Sequence, residues 1–357
     1  MIEFLYLPAI GAGFFISLCV SALIVVTKGH HGHFSLDEHE GVQKFHSIPT
    51  PRVGGIAIAA GFVAVWFFLE GEIKAVWILL GLAGLLPLIV GLIEDISHKA
   101  SVTVRLVTTI LGGAAFSLAS GYYVAKVSVW GLDTLLGYPA FALAFTAIGI
   151  GGIANSVNIV DGFHGLASGT LLIILAALAI VGLRVDDMLL VGLALTIAAI
   201  IAGFIVVNFP LGKLFLGDAG AYFGGYLVAA LAVMLPFRNP EVSQWTSILI
   251  LAYPITEMAV SIVRKMRREG HHPGKPDSLH LHMLVYRNLT PIIAAKLGWP
   301  TSRNPLTSVL LWSLPAINLL SVAFFDLGTF SALTNLAVFV SIYMALYLYL
   351  IAKEEGS

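Results

Sequence analysis

A single cysteine, Cys19, lies inside an apolar run, so the chain has neither a disulfide framework nor a cysteine-based metal site. Charge is almost as scarce. Asp, Glu, Lys and Arg make up 11% of the 357 residues, where a soluble domain has about a quarter. The formal net charge of −1 lacks the basic surplus that a nucleic-acid partner calls for. No internal repeat is visible. No basic segment precedes the first apolar run, which is long enough to remain as a span and does not read as a cleaved export signal. What is present is hydrophobic: 58% of residues are apolar and the mean hydropathy is +0.94, which marks one polytopic, helical membrane domain.

About 20 apolar residues cross the hydrocarbon of a bilayer. Runs near that length occupy 5–26, 53–69, 75–93, 106–121, 139–154, 165–183, 188–207, 219–236, 245–262, 307–325 and 328–351. The expectation is therefore an all-α protein with ten or eleven transmembrane helices, eleven on this count, and termini on opposite sides. The intervening loops divide the 19 Lys and Arg residues fifteen to four. By the positive-inside rule the richer side is cytoplasmic and the N-terminus external. All 11 histidines, and a long loop over 263–306, fall on that cytoplasmic side.

The polar residues of such a chain stand out because each is costly in lipid, about 2.5 to 3.5 kcal/mol for an Asp at the bilayer centre. In GIANSVNIVDGFHGLASG, Gly152 to Gly169, the residues Asn155, Asn158, Asp161 and His164 recur at three-residue steps. That spacing forms a slowly drifting polar strip on a helix, and the interleaved glycines allow backbone to approach a ligand. The first cytoplasmic loop contains His30, His31 and His33, whose spacing fits a solvated loop better than a metal site. It ends in HSIPTPRVGG, where Lys44, His46 and Arg52 gather positive charge beside Pro49, Pro51, Gly54 and Gly55. Rigid backbone with cationic donors suits phosphate, although positive-inside anchoring explains the charge as well.

Glu94 and Asp95 are adjacent carboxylates at a helix end, a costly arrangement unless something cationic attends them, and Lys99 and Arg105 follow. Asp218, within FLGDAGAYFGG, reads either as a helix cap or as an oxygen ligand for Mg²⁺. In YPITE, Pro254 kinks the helix; Glu257 is open between pairing with the basic run Arg264 to Arg268 and a functional role. His280 and His282 flank Leu281, a spacing at which two side chains diverge on a helix.

Taken in order on one membrane face, HSIPTPRVGG, GLIED, NSVNIVDGFHG and FLGDAGAYFGG resemble the polyprenyl-phosphate N-acetylhexosamine-1-phosphate transferases, the family of MraY and WecA. The likeness covers about Lys44 to Arg287, and the HLH pattern favours the WecA-like branch. The resemblance implies transfer of N-acetylhexosamine-1-phosphate, by default GlcNAc-1-phosphate, from a UDP-sugar to polyprenyl (undecaprenyl) phosphate. UMP would be released and cell-surface polysaccharide synthesis begun at a bacterial inner membrane, with the site facing the cytoplasm. It implies Mg²⁺, with Mn²⁺ as its substitute, held by Asp218 and Asn158. Asp95, Glu94 and Asp218 would be catalytic, Asp95 the preferred member of its pair. Lys44, His46, Arg52 and Arg105 would contact phosphate. Asn155, Asp161 and His164 would shape the nucleotide pocket, and His280 and His282 would reach the diphosphate.

The implied partners are UDP-N-acetylhexosamine, polyprenyl phosphate and membrane lipids; a homodimer is compatible with the sequence but not dictated by it. The chain departs from the family pattern at Glu94, where Asp is usual, and at His164, where many relatives have Asp or Asn. The alternatives are a phospho-MurNAc-pentapeptide transferase and, in another class, a transporter of a polar or anionic substrate. A coupled transporter would place its ionisable groups near mid-membrane and repeat a half.

Overall fold

A computed structural model describes residues 6–37, 49–267, 279–299 and 302–355. Lys44 and His46 lie outside the described residues. The helices, in order, are α1 (Leu7–Val26), α2 (Lys28–Ser35), α3 (Gly54–Val65), α4 (Gly71–Ser97), α5 (Val102–Ser120), α6 (Leu132–Leu136), α7 (Pro139–Val160) and α8 (Leu166–Arg184). They continue with α9 (Met188–Asn208), α10 (Gly217–Arg238), α11 (Gln244–Ile250), α12 (Ala252–Arg267), α13 (Leu281–Asn288), α14 (Thr290–Leu297), α15 (Arg303–Phe324) and α16 (Thr329–Glu355). The strand content among these residues is one two-residue antiparallel pair, β1 (Leu36–Asp37) with β2 (Thr50–Pro51).

The chain is an all-α polytopic membrane protein, and each of the eleven apolar runs is helical. Nine of the described helices are long and apolar enough to cross a bilayer; α11 and α12, bent by 77°, make a tenth if counted as one span. The remaining run differs from expectation. α3 has only 12 residues, about 18 Å at 1.5 Å per residue, and is prolonged by a 3-10 turn over Trp66–Phe68. The bend between α11 and α12 follows from Pro254 in the first turn of α12. Proline has no N–H to give the Ile250 carbonyl, and its ring crowds that oxygen.

Helix α10 is the axis of the bundle. Nineteen of its 22 residues are buried, and it packs on α3, α4, α7 and α8. Small residues permit this: it opens Gly-Asp-Ala-Gly-Ala and continues through Gly224, Gly225, Ala229 and Ala230. The outer helices α1, α5 and α16 are the least buried, with 28%, 28% and 22% of their apolar spans buried, as a lipid-facing surface requires.

Candidate active site

Five segments bring charged or amide side chains to one end of the bundle. Arg52 comes from the stretch before α3, Glu94 and Asp95 from the last turn of α4, and Arg105 from the first turn of α5. Asn158 and Asp161 come from the end of α7, and Asp218 from the first turn of α10. Backbone pairing sets the first of these. The Phe215 N–H donates to the Pro51 carbonyl at 2.9 Å, while the Gly54 and Gly55 N–H groups donate to the Phe215 and Leu216 carbonyls, each at 3.0 Å. This zips the start of α3 to the approach of α10 and carries Arg52 to Asp218.

Asp218 is the centre. Its Oδ1 accepts from Arg52 Nη2 at 2.5 Å and from Asn158 Nδ2 at 3.0 Å, and its Oδ2 accepts from Arg105 Nη1 at 2.7 Å. Asp218 is therefore not the cap of its own helix. The cap is shared by two other carboxylates. Asp95 accepts from the N–H groups of Asp218 (2.8 Å) and Ala219 (2.9 Å), and Asp161 accepts from that of Gly217. A helix N-terminus is electropositive, which explains how the acidic pair on α4 is tolerated. Asp95 turns inward to those amides, whereas Glu94 turns outward, accepting from the Ala100 N–H at 2.9 Å with Arg105 at 3.7 Å. Gly217 adopts φ +74°, and an added Cβ would sit 2.6 Å from Asp95 Oδ2, so only glycine leaves room for this cap.

Arg52 and Arg105 face four carboxylates, Glu94, Asp95, Asp161 and Asp218, so the cluster is short of positive charge. Burial drives the Asp161 carboxyl up to about 7; Arg52 opposes this, the Asp218 charge adds to it, and the Gly217 amide opposes it. Among the described residues no three His, Cys, Asp or Glu side chains converge as a ready-made metal cage. The donors present, carboxylate and amide oxygens, nonetheless fit Mg²⁺, which binds through one or two carboxylates and completes its shell with water and substrate phosphate.

A second group adjoins the first through the 161–164 loop. Glu257 Oε1 accepts from His280 Nδ1 (3.0 Å) and the Leu281 N–H (3.1 Å), and Oε2 accepts from the Tyr343 hydroxyl (2.7 Å). His280 has extended backbone as the N-cap of α13, so the expected divergence of His280 and His282 does not occur. Their rings stack with centroids 5.3 Å apart. His282 packs edge-on to Phe163 at 5.6 Å, and a Cβ on Gly162 would meet its Nε2 at 2.8 Å. Burial holds the His282 imidazole down to about 3, against the pull of Glu257, so the ring is neutral at physiological pH.

The polar strip drawn from the three-residue spacing does not persist as one helix face, because α7 ends at Val160. Asn158 and Asp161 join the cluster. Asn155 instead donates to Thr109 Oγ1 and the Gly151 carbonyl, each at 2.8 Å, tying α7 to α5. His164 lies beyond the turn, with Nδ1 3.2 Å from the Pro210 carbonyl and its N–H donating to Asn304 Oδ1 at 2.8 Å. Tyr222, one turn along α10 from Asp218, was not legible as a site residue; its hydroxyl donates to Asn158 Oδ1 at 3.3 Å. Its four-residue distance from Asp218, one helical turn, is the signal that could have found it.

Residues 77–236, which hold both α4 carboxylates, Arg105, Asn158, Asp161 and Asp218, match the description "Glycosyl transferase family 4". The chain belongs to that family. Among curated relatives of this family 4 protein, a probable undecaprenyl-phosphate N-acetylglucosaminyl 1-phosphate transferase of Bacillus subtilis is 30% identical over 247 residues, 67% of this chain and 66% of the relative. The undecaprenyl-phosphate alpha-N-acetylglucosaminyl 1-phosphate transferase of Yersinia pestis is 27% identical over 282 residues, 76% of this chain and 75% of the relative. A phospho-N-acetylmuramoyl-pentapeptide-transferase of Streptococcus pneumoniae is 28% identical over 223 residues, 59% and 66% of the two chains. Arg52, Glu257, His280 and His282 lie outside the family 4 match itself.

Proposed function

We propose that the protein transfers an N-acetylhexosamine-1-phosphate, GlcNAc-1-phosphate by default, from its UDP-sugar to polyprenyl phosphate, at the cytoplasmic face of a bacterial inner membrane. The observation that carries this reading is the convergence of Arg52, Arg105, Asn158 and two acidic segments, Glu94–Asp95 and Asp161, on Asp218 at one end of the bundle. Phosphoryl transfer asks a protein chiefly to hold anions together and to neutralise charge as it develops. An oxygen of the lipid phosphate attacks the sugar-linked phosphorus of the UDP-sugar. The bond to the bridging oxygen breaks, and the nucleotide leaves as UMP.

Arg52 and Arg105 supply the phosphate contacts by exchanging carboxylate partners for phosphate oxygens; their side chains are 30% and 19% exposed. Glu94 presents the outward carboxylate on the α4 side. Asp218, with Asn158 hydrogen-bonded to it, would hold Mg²⁺ or Mn²⁺, which when bound neutralises the nucleotide diphosphate. The 161–164 loop, with His280 and His282 behind it, forms the nucleotide side, and Asn155 supports that wall through α5. The fifteen-to-four division of basic residues supports the cytoplasmic orientation. A carboxylate cluster at one end of the bundle supports an enzyme over a coupled transporter.

The test is direct. Purified protein given Mg²⁺, UDP-GlcNAc and undecaprenyl phosphate releases UMP; excess EDTA or Asp218→Ala stops it. Release that continued under EDTA would remove the metal, and a fully active Asp218→Ala would overturn the assignment of the site. A panel of donors including UDP-MurNAc-pentapeptide decides which sugar is used.

A further inference from the structure

Glu94 and Asp95 are neighbours in sequence, yet the fold gives them opposite surroundings. The Asp95 side chain is 0% exposed and that of Glu94 16%. Both Asp95 oxygens accept from consecutive amides of α10, at 2.8 and 2.9 Å, and Arg52 Nε stands 3.4 Å from Oδ1. A carboxyl group sealed in this way offers a phosphate nothing: it is covered, and its acceptors are committed to main chain. What it does govern is where α10 begins, and Asp218 lies in that first turn.

The docking is reinforced by a second contact from the same face of α4. Gly91 is one turn before Asp95, and a Cβ there would run into the backbone of Ala219. Gly91 and Asp95 thus form one surface, spaced i and i+4, on which the first turn of α10 rests. Contact from Gly91 sets the depth of that turn, and the Asp95 carboxylate sets its rotation by fixing two successive N–H vectors. With the turn fixed, the Asp218 carboxylate is aimed between Arg52 and Arg105.

We propose that Asp95 is a positioning residue that caps α10 and aims Asp218, and that it contacts neither phosphate. The kinetic side of this inference rests on the transferase reading; the structural side does not. Hydrogen exchange of the peptide spanning 213–222 separates them. Asp95→Asn keeps one acceptor and Asp95→Ala none, so exchange there rises about tenfold or more, in the order wild type, Asn, Ala. Glu94→Gln leaves that exchange unchanged.

Residual UMP release in Asp95→Asn shows a lowered kcat, an unchanged KM for polyprenyl phosphate and a pH profile of wild-type shape, since no titrating group at the substrate has been removed. Asp95→Asn with wild-type exchange and melting but a lost pH limb or a raised KM for the lipid would overturn the proposal. If wild-type protein released no UMP from any donor, the transferase reading would fail while the exchange result still tested the cap.

Discussion

Glu257 holds His280. One carboxylate oxygen accepts from the imidazole Nδ1 and from the next backbone amide, and the other accepts from Tyr343, so a single buried side chain ties α12, the start of α13 and α16 together. Glu257 is thereby removed from the basic run that follows it on α12. A carboxylate on Nδ1 fixes which ring nitrogen carries the proton and leaves Nε2 as the other hydrogen-bonding atom. Glu257→Gln keeps the shape but weakens charge-assisted hydrogen bonds by about 1 to 2 kcal/mol. The expected result is a KM for the nucleotide sugar raised about tenfold with kcat changed less, measured by UMP release. An unchanged KM would dissociate His280 from the nucleotide.

Asp161 gives the folded protein a proton that the unfolded chain does not hold. Its carboxyl is raised to about 7 in the fold, by burial first, against about 3.9 in an unfolded chain. Between these values the native state binds more protons, so this group's contribution lowers stability as pH rises from about 4 to 7. Melting temperatures in detergent across that window should fall more steeply for wild type than for Asp161→Asn, which cannot ionise. Parallel curves would place the carboxyl in ordinary solvent.

Much of this was visible in the sequence because the chain is so apolar that Glu94, Asp95, Asn158, Asp161 and Asp218 had few plausible homes. Their partners were less visible. Asp95 binds backbone amides, which no side-chain pattern advertises. Asn155 carries the same amide as Asn158 and sits one step earlier in the same series, but it faces Thr109, because a three-residue step drifts around a helix of 3.6 residues per turn. His280 and His282 stack only because His280 precedes the helix; the i, i+2 rule applies to residues inside one. Tyr222 hid among the apolar residues of α10.

Tyr222 should matter through Asn158 alone. Its hydroxyl donates to the amide oxygen whose nitrogen is on Asp218, so Tyr222→Phe removes one atom and leaves that oxygen with one hydrogen bond fewer. The expected loss is about 1 kcal/mol, or about fivefold in kcat/KM. In an Asn158→Ala background the same change should cost nothing further. Additive losses measured in that double-mutant cycle would mean that Tyr222 acts on something other than Asn158.

The far end of the bundle supplies the contrast. Arg238, at the last residue of α10, donates Nε and Nη2 to the two oxygens of Asp187 (2.8 and 3.1 Å) and Nη1 to Glu72 (3.1 Å) and the Tyr122 hydroxyl (3.2 Å). Asn239 and the Leu190 N–H also donate to Asp187. The clasp joins the start of α4, the end of α5, the start of α9 and the end of α10, about 30 Å along α10 from Asp218 at 1.5 Å per residue. Burial alone would raise the Asp187 carboxyl, but hydrogen bonds from Arg238 and Asn239 outweigh it and hold the group below the usual carboxylate range. Its stabilisation is therefore present above about pH 4 and is lost as pH falls through the lowered folded value. Asp187→Ala leaves a partly exposed guanidinium, still held by Glu72 and Tyr122, without its main partner, a cost of about 2 kcal/mol. It should lower the melting temperature at pH 7, narrow the gap to wild type in acid, and leave kcat per folded molecule within about twofold. A large fall in kcat at full folding would mean that the two ends of α10 are mechanically coupled.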